Sequence, residues 1–346
     1  MNILVYRHSL LSRGGDKMIV LQANHLASQG HSVSILTAVM DTVFTLDQRI
    51  NVSILPSRSK FATILTAVTT SFSADLIIAD IIAMVTFLAI RNRDKVICYA
   101  QDYDESYYSS TAPKLLIRLF YLFSLTFFRI PAIAVSHPLG SLLSRRYHAD
   151  VRVVENGIDT SRFFPDPDSE LLTLKAGRKA ILVLARSDLR KGFDIACEVI
   201  RRLEVTSAAQ IEVWTVGEEN ASLFAGIAHR HHGYVDENRL RCIMSSADIF
   251  LYPSRHEGYP LMVLESFACN CPVVTTVAVP YAEQLVNALV SNIEDTDTLT
   301  AHVRLLLDDP DLADELASRA YRFALEHDLA STCQQFADSL ESLHGR

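Results

Sequence analysis

Residues 248–275 read Asp248-Ile-Phe-Leu-Tyr252-Pro-Ser-Arg-His-Glu257-Gly-Tyr-Pro-Leu261-Met-Val-Leu-Glu265-Ser-Phe-Ala-Cys269-Asn-Cys-Pro272-Val-Val-Thr275. An apolar run at 248–252, a turn rich in Pro and Gly, a helical pattern from Leu261 to Cys269 and a β-branched run at 272–275 spell strand, helix, strand. That is the βαβ unit of a parallel sheet. Upstream, runs at 180–184 and 211–216 alternate with helical patterns at 194–203 and 238–247, so the unit repeats. Nearer the N-terminus a second series, 3–6, 33–37, 52–55, 76–79, 96–100 and 132–135, follows the same rule, its first strand leading into a helix that ends at Gln29. Between the series lie Asn156-Gly-Ile-Asp159 and the Pro-rich Phe164-Pro-Asp-Pro-Asp168, where a domain boundary is expected. The expected class is α/β, with two Rossmann-like doubly wound parallel-sheet domains facing across a cleft and ligands beyond the carboxyl ends of the strands.

The chain's 346 residues agree with two domains at roughly 150 residues each. An apolar fraction of 49% and a charged fraction of 21% exclude a disordered or collagenous chain. The opening residues read as a strand instead of a signal peptide, and no uncharged apolar run reaches spanning length; the expected location is the cytoplasm, peripheral at the inner membrane face. Six cysteines (98, 197, 242, 269, 271 and 333), without a Cys-x-x-Cys pair, are expected to be buried free thiols. Charge divides unevenly: residues 1–150 carry 14 Lys and Arg against 10 Asp and Glu, a net +4, which leaves −12 on the remainder. A basic first half points to an anionic membrane surface or a phosphate-bearing acceptor; nucleic acid is not expected, because no basic run interleaves with aromatics. The stretch Pro113–Arg129 is predicted as a helix whose Lys114, Arg118, Tyr121, Leu125 and Arg129 form one stripe. That stripe lies on anionic lipid or faces water, with Leu, Ile and Phe filling the rest of the surface.

Three segments can carry chemistry. Gly14-Gly15 follows the first strand and opens a helix, a place for backbone to approach an anion, although the dinucleotide Gly-x-Gly-x-x-Gly spacing is absent. Arg186, Arg190 and Lys191 crowd the loop after the strand at 180–184, and a guanidinium fork beside an ammonium suits a diphosphate. Glu257 and Glu265 lie eight residues apart, about 12 Å along a helical path, too far for the paired carboxylates of a glycosidase, which sit about 5–9.5 Å apart. They suit two ends of one extended ligand, with helix amides after Gly258 placed for phosphates between them.

Taken together, Gly14-Gly15, Asn156-Gly157-Ile158-Asp159, Arg186 with Lys191-Gly192, Val216-Gly217, His232-Gly233-Tyr234-Val235 and Pro253-Ser254…Glu257-Gly258-Tyr259-Pro260-Leu261…Glu265 resemble the retaining nucleotide-sugar glycosyltransferases of family 4, which have the GT-B fold. The resemblance covers nearly the whole chain in order. It implies an acceptor-side domain at 1–160, a nucleotide-sugar donor domain at 161–328 and a C-terminal helix, 329–346, crossing back to the first domain. It implies catalytic roles for Glu257, Arg186 and Lys191, the two cations on the donor diphosphate and Glu257 on the donor sugar near its 3-hydroxyl. Donor binding would fall to Gly14, Gly15, Glu265, Gly258, Tyr259, Pro260, Leu261, Gln101, Asp102 and Asn156, with Glu265 on the ribose and Gly15 under the phosphate. The implied activity is sugar transfer from a nucleoside diphosphate sugar to a glycan or lipid-linked acceptor in cell-surface polysaccharide synthesis, with neither cofactor nor metal.

Two departures mark this chain. Tyr99-Ala-Gln101-Asp102 stands where such enzymes often carry His-Asp, with the His near the sugar's 6-position, which points to a 6-deoxy sugar such as rhamnose. Val277-Ala-Val-Pro-Tyr-Ala-Glu283 replaces the usual Gly-Gly before a later Glu. Three competitors remain open: a metal-dependent transferase using Asp102-Tyr-Asp104, an epimerase or hydrolase of the same fold, and a non-catalytic nucleotide-sugar binding or assembly protein. The His-rich segment at 229–232 offers a further metal reading.

Overall fold

The computed structural model describes residues 1–207, 211–218, 224 and 226–344. It divides into two compact units, one made of Met1–Asn156 with the chain from Ala330 onward, the other of Gly157–Leu329.

In the first unit the chain runs β1 (Asn2–Tyr6), β2 (Ser9–Leu11), α1 (Gly14–Ser28), β3 (Ser32–Thr37), β4 (Val39–Asp41), β5 (Asn51–Ile54), α2 (Lys60–Thr69), β6 (Leu76–Ala79), α3 (Ile82–Asn92), β7 (Val96–Ala100), α4 (Thr111–Tyr121), β8 (Ala132–Ala134), α5 (His137–Tyr147) and β9 (Val151–Val153). Seven strands form a parallel sheet in the order β5-β3-β1-β6-β7-β8-β9, while β2 and β4 make a separate parallel pair. Strands β6 and β7 are buried along their whole length, because helices cover both faces of the sheet and leave no polar alternation to select.

The second unit runs α6 (Ser169–Leu174), β10 (Lys179–Ala185), α7 (Phe193–Ser207), β11 (Ile211–Gly217), β12 (Ala228–His231), α8 (Glu237–Ser246), β13 (Ile249–Tyr252), α9 (Leu261–Ala268), β14 (Val273–Thr276), β15 (Leu289–Ser291), α10 (Thr296–Asp308) and α11 (Pro310–Glu326). Its six strands are parallel in the order β12-β11-β10-β13-β14-β15. Ile181, Val183, Val213, Leu251 and Val274 from the sheet pack with Val199, Ile200 and Val303 from the helices. Aspartates start the helices: Asp168, Asp236, Asp295 and Asp309 each accept a first-turn amide with the side chain, at α6, α8, α10 and α11. The last helix, α12 (Leu329–His344), returns to the first unit, where Phe336 lies 4.9 Å, ring to ring, from Tyr99 of β7. Five cysteines are buried, Cys242 is partly so, and none is in a disulfide.

The segment 113–129 departs from its reading. Helix α4 ends at Tyr121 and the chain continues as π-helical turns over Leu122–Phe127. The stripe expected to face outward is split: Arg118 and Arg129 are exposed and Lys114 is half-buried, but its two other members are not at the surface. Tyr121 and Leu125 are buried, and Arg118 grips Glu105 through Nε at 2.8 Å and through its terminal nitrogen. The outward residues are Leu115, Leu116, Leu119, Leu122, Phe123 and Phe127. The cause lies outside the helix: Tyr121 is sandwiched between Tyr103 and Tyr147, each 5.0 Å away centroid to centroid. Tyr103 donates to Glu105 at 2.8 Å, and Arg146 approaches the same carboxylate at 3.7 Å. Arg118 holds the Glu105 carboxyl down to about 2.

Candidate functional site

Strand β13 ends in Tyr252 and the chain turns through Pro253–Pro260 into α9, so the loop stands at the carboxyl edge of the sheet beside β10, whose own loop carries Arg186–Gly192. The two loops interlock. Gly192 has φ +69°, and a Cβ there would lie 1.9 Å from the Pro253 carbonyl oxygen; only glycine admits both the conformation and the approach. The Arg190 carbonyl accepts from the Arg255 amide at 2.7 Å and lies 2.8 Å from the Ser254 hydroxyl.

This interlock delivers Lys191 Nζ to both oxygens of Glu257, 2.9 Å from each. The Glu257 side chain is 5% exposed and Lys191 25%, so the pair is sheltered but open on the lysine side. The buried Tyr252 hydroxyl donates to Glu257 Oε1 at 2.6 Å, and Ser254 Oγ lies 2.7 Å from the same oxygen. Burial, reinforced by the neighbouring Glu257, raises the Tyr252 hydroxyl well above its ordinary range, so it remains a donor. Neither Tyr252 nor Ser254 was singled out as a site residue from sequence, although both stand in the quoted stretch.

Glu265 is buried one turn into α9, whose amino end has no side-chain cap. Gly258, Tyr259, Pro260 and Leu261 line the approach to that helix; the Tyr259 ring lies 4.4 Å from that of Tyr281, whose hydroxyl donates to the Pro260 carbonyl. Arg186 leaves the end of β10, its Nε 3.9 Å from Glu218. Gly217 opens the space beside it, since a Cβ at its φ of +109° would meet the Ala185 carbonyl oxygen at 2.4 Å. Arg190 differs from the diphosphate reading: it is tied to Asp188, two residues earlier, at 2.7 Å. Each of the three cations of this loop therefore has a carboxylate neighbour.

The other residues that the sequence points to belong to the first unit. Gly14 and Gly15 begin α1, also without a side-chain cap. The position a Cβ would take on Gly15 is 3.0 Å from Gln101 Oε1, so the glycine makes room for that side chain. Gln101 in turn donates to Asp80 at 3.4 Å, and Arg7 bridges Asp80, at 3.0 Å, to Asp16, at 2.7 Å. Sequence reading missed the Arg7, Asp16 and Asp80 support, whose members stand up to 73 residues apart. Asp102 accepts from the Tyr103 amide, while the Asp104 carboxylate is turned inward onto the Ile82 amide at 2.8 Å, and burial pushes its carboxyl up to about 7. Asn156 is buried at the end of this unit.

Among the described residues no three His, Cys, Asp or Glu side chains are grouped to hold a metal ion. In the His-rich segment, His229 and His231 both lie 2.9 Å from Thr215 Oγ1, and burial lowers His232 to about 4.

Two units built on parallel Rossmann-like sheets of seven and six strands have the GT-B fold. Residues 167–323 match the family glycosyl transferases group 1. The chain is 29% identical over 243 residues to a D-inositol 3-phosphate glycosyltransferase 2 of Catenulispora acidiphila, covering 61% of this chain and 56% of that protein. It is 36% identical over 81 residues to an O-antigen chain mannosyltransferase B of Escherichia coli, covering 23% and 21%. The chain thus spans little over half the length of the first and about a fifth of the second. Among solved structures, Anabaena HepE in complex with UDP and glucose superposes with a TM-score of 0.79 at 18% identity, over 99% of this chain and 100% of that one.

Proposed function

We propose that the protein is a retaining glycosyltransferase that moves a sugar from a nucleoside diphosphate sugar to a glycan or lipid-linked acceptor in cell-surface polysaccharide synthesis, without a metal ion. The observation that carries the reading is the Lys191–Glu257 pair, its lysine partly exposed, beside Arg186 and ahead of the uncapped α9. In the reaction the bond from the anomeric carbon to the diphosphate oxygen breaks, and the leaving group keeps the electron pair. The acceptor hydroxyl oxygen bonds to that carbon on the same face and gives up its proton to the departing diphosphate. Lys191 and Arg186 are assigned to the charge developing on the diphosphate, where fixed cations act on the transition state more strongly than on the ground state. The α9 amides are assigned to the same group, Glu265 to the ribose, and Glu257 to the donor sugar. Gly14, Gly15, Gln101, Asp102 and Asn156 are assigned to donor binding from the first unit, and Gln101 in place of His favours a 6-deoxy sugar such as rhamnose.

The UDP and glucose bound in Anabaena HepE and the O-antigen relative support this donor class and pathway. The basic first half supports an acceptor presented at an anionic membrane surface, with the chain on the cytoplasmic side. The test is an EDTA-treated transfer assay with UDP-, GDP-, ADP- and dTDP-sugars and NMR of the product. Transfer with retained anomeric configuration is expected; an inverted product, or transfer restored by a divalent ion alone, overturns the corresponding part.

A further inference from the structure

The outward face of α4 and its π-helical extension is a continuous apolar strip. Leu115, Leu119, Phe123 and Phe127 recur every fourth residue, flanked by Leu116 and Leu122, and Phe127 is 71% exposed. In an α-helix a row of every fourth residue drifts about 40° per step around the axis. The wider turns at Leu122–Phe127 rotate the row back, so it holds one face for about 18 Å. An apolar face this long is not needed to cover the unit's own core, because Ile117, Tyr121, Ser124 and Leu125 already do so from the opposite side.

Charge names the occupant. Helices α2, α3, α4 with its π extension, and α5 contain no Asp or Glu, whereas every other α-helix of the described residues contains at least one. They carry Lys60, Arg91, Lys114, Arg118, Arg145 and Arg146, of which Arg118 and Arg146 are drawn to Glu105 and the other four are left to set the charge of the layer. The packing of α2 on α3, of α3 on α4, and of the π turns on α5 makes these helices one layer. Exposed Tyr107 and Tyr108 stand just before α4, the aromatic type that settles at a headgroup boundary. A second copy fits poorly, since a two-fold contact through this face would set cation against cation.

We propose that this strip is a docking surface for an anionic lipid bilayer, with Leu119, Phe123 and Phe127 entering the interface and the net cationic helix layer attracted to the headgroups. No helix among the described residues is long and apolar enough to cross a membrane, and the contact proposed is one lying on the surface. The inference deepens, and rests on, the reading of a membrane-proximal acceptor.

The test is flotation of the full chain with vesicles of phosphatidylcholine alone or mixed with phosphatidylglycerol, at low and high salt. The native protein is expected to float with the mixed vesicles, less so at high salt. The Leu119→Ser, Phe123→Ser, Phe127→Ser triple variant is expected to lose about tenfold or more of that binding while keeping its unfolding midpoint. Lys114→Glu is expected to weaken flotation with mixed vesicles only. Failure of the native chain to float, or equal flotation of the triple variant, overturns the proposal. So does a native dimer that the triple variant turns into a monomer in sedimentation equilibrium, which makes a second copy the occupant. Stabilisation by nucleotide sugar, measured on the same samples, reports on the transferase reading independently: its absence with flotation intact contradicts that reading and leaves the docking surface standing.

Discussion

Arg7 of the first unit and Lys191 of the second both sit in loops at strand ends and both bind carboxylates, yet their surroundings differ. Arg7 is 10% exposed and clamped between Asp16 and Asp80, a buried arrangement in which every charge is spent on its neighbours. Lys191 is 25% exposed, and the carboxylate it meets is fixed separately by Tyr252 and Ser254. An anion can therefore approach Lys191 without stranding Glu257, since two hydroxyls stay with the carboxylate. The difference separates a closed cluster from one open to a ligand: a buried pair must remain closed, because opening it leaves an uncompensated charge.

Substitution at Lys191 should sharpen the contrast most. Lys191→Ala is expected to lower kcat/KM for sugar transfer by about 10²–10³-fold, in the range for losing a fixed group that stabilises developing charge. Initial rates alongside the unfolding midpoint check it, and near-normal turnover removes Lys191 from the site. Gly192→Ala acts on the interlock instead: the left-handed φ and the Pro253 carbonyl at 1.9 Å predict a loss of about 2–3 kcal/mol in denaturant unfolding, with transfer falling as the loop is displaced.

In the first unit the effects are on stability and its pH dependence. Glu105→Gln is expected to cost about 2 kcal/mol at neutral pH, because it removes the charged partner of Arg118. The folded carboxyl is held near 2 against an ordinary 4.5, so its contribution is complete above about 4.5 and lost as pH falls toward 2; the gap between variant and native chain should close over that window. Asp104 gives the opposite sign. Its carboxyl is raised to about 7 from 3.8, so the folded chain keeps the proton longer and loses stability as pH climbs through that range. Asp104→Asn should flatten that decline between pH 4 and 8 in urea unfolding.

The same two regions show what a sequence discloses. Strands β6, β7, β10 and β13 are runs of consecutive apolar residues between turn signals and are legible as such. Strands β2, β4, β9, β12 and β15, three or four residues each, are too short for a period to register. The loop 252–261 and the cations at 186 and 191 stand out by residue type, but the pairing of Lys191 with Glu257 joins positions 66 apart through a glycine contact that no spacing rule reveals. Arg190 was legible otherwise than it was read, since Asp188 two residues before it is an available partner. Helix α4 departs for a related reason: its wheel treats Tyr121 as solvent-facing, whereas Tyr103 and Tyr147 arrive from other segments to bury it, and Glu105 ties down the exposed Arg118.

The most direct measurement is the unfolding midpoint of the native chain and of Lys191→Ala in EDTA with UDP-, GDP-, ADP- and dTDP-sugars, since a ligand that binds the folded state raises it by mass action. The account predicts that one nucleotide sugar stabilises the native chain without metal and that the shift is largely lost in the variant. Equal shifts in both proteins, or none in the native chain with any donor, would contradict it.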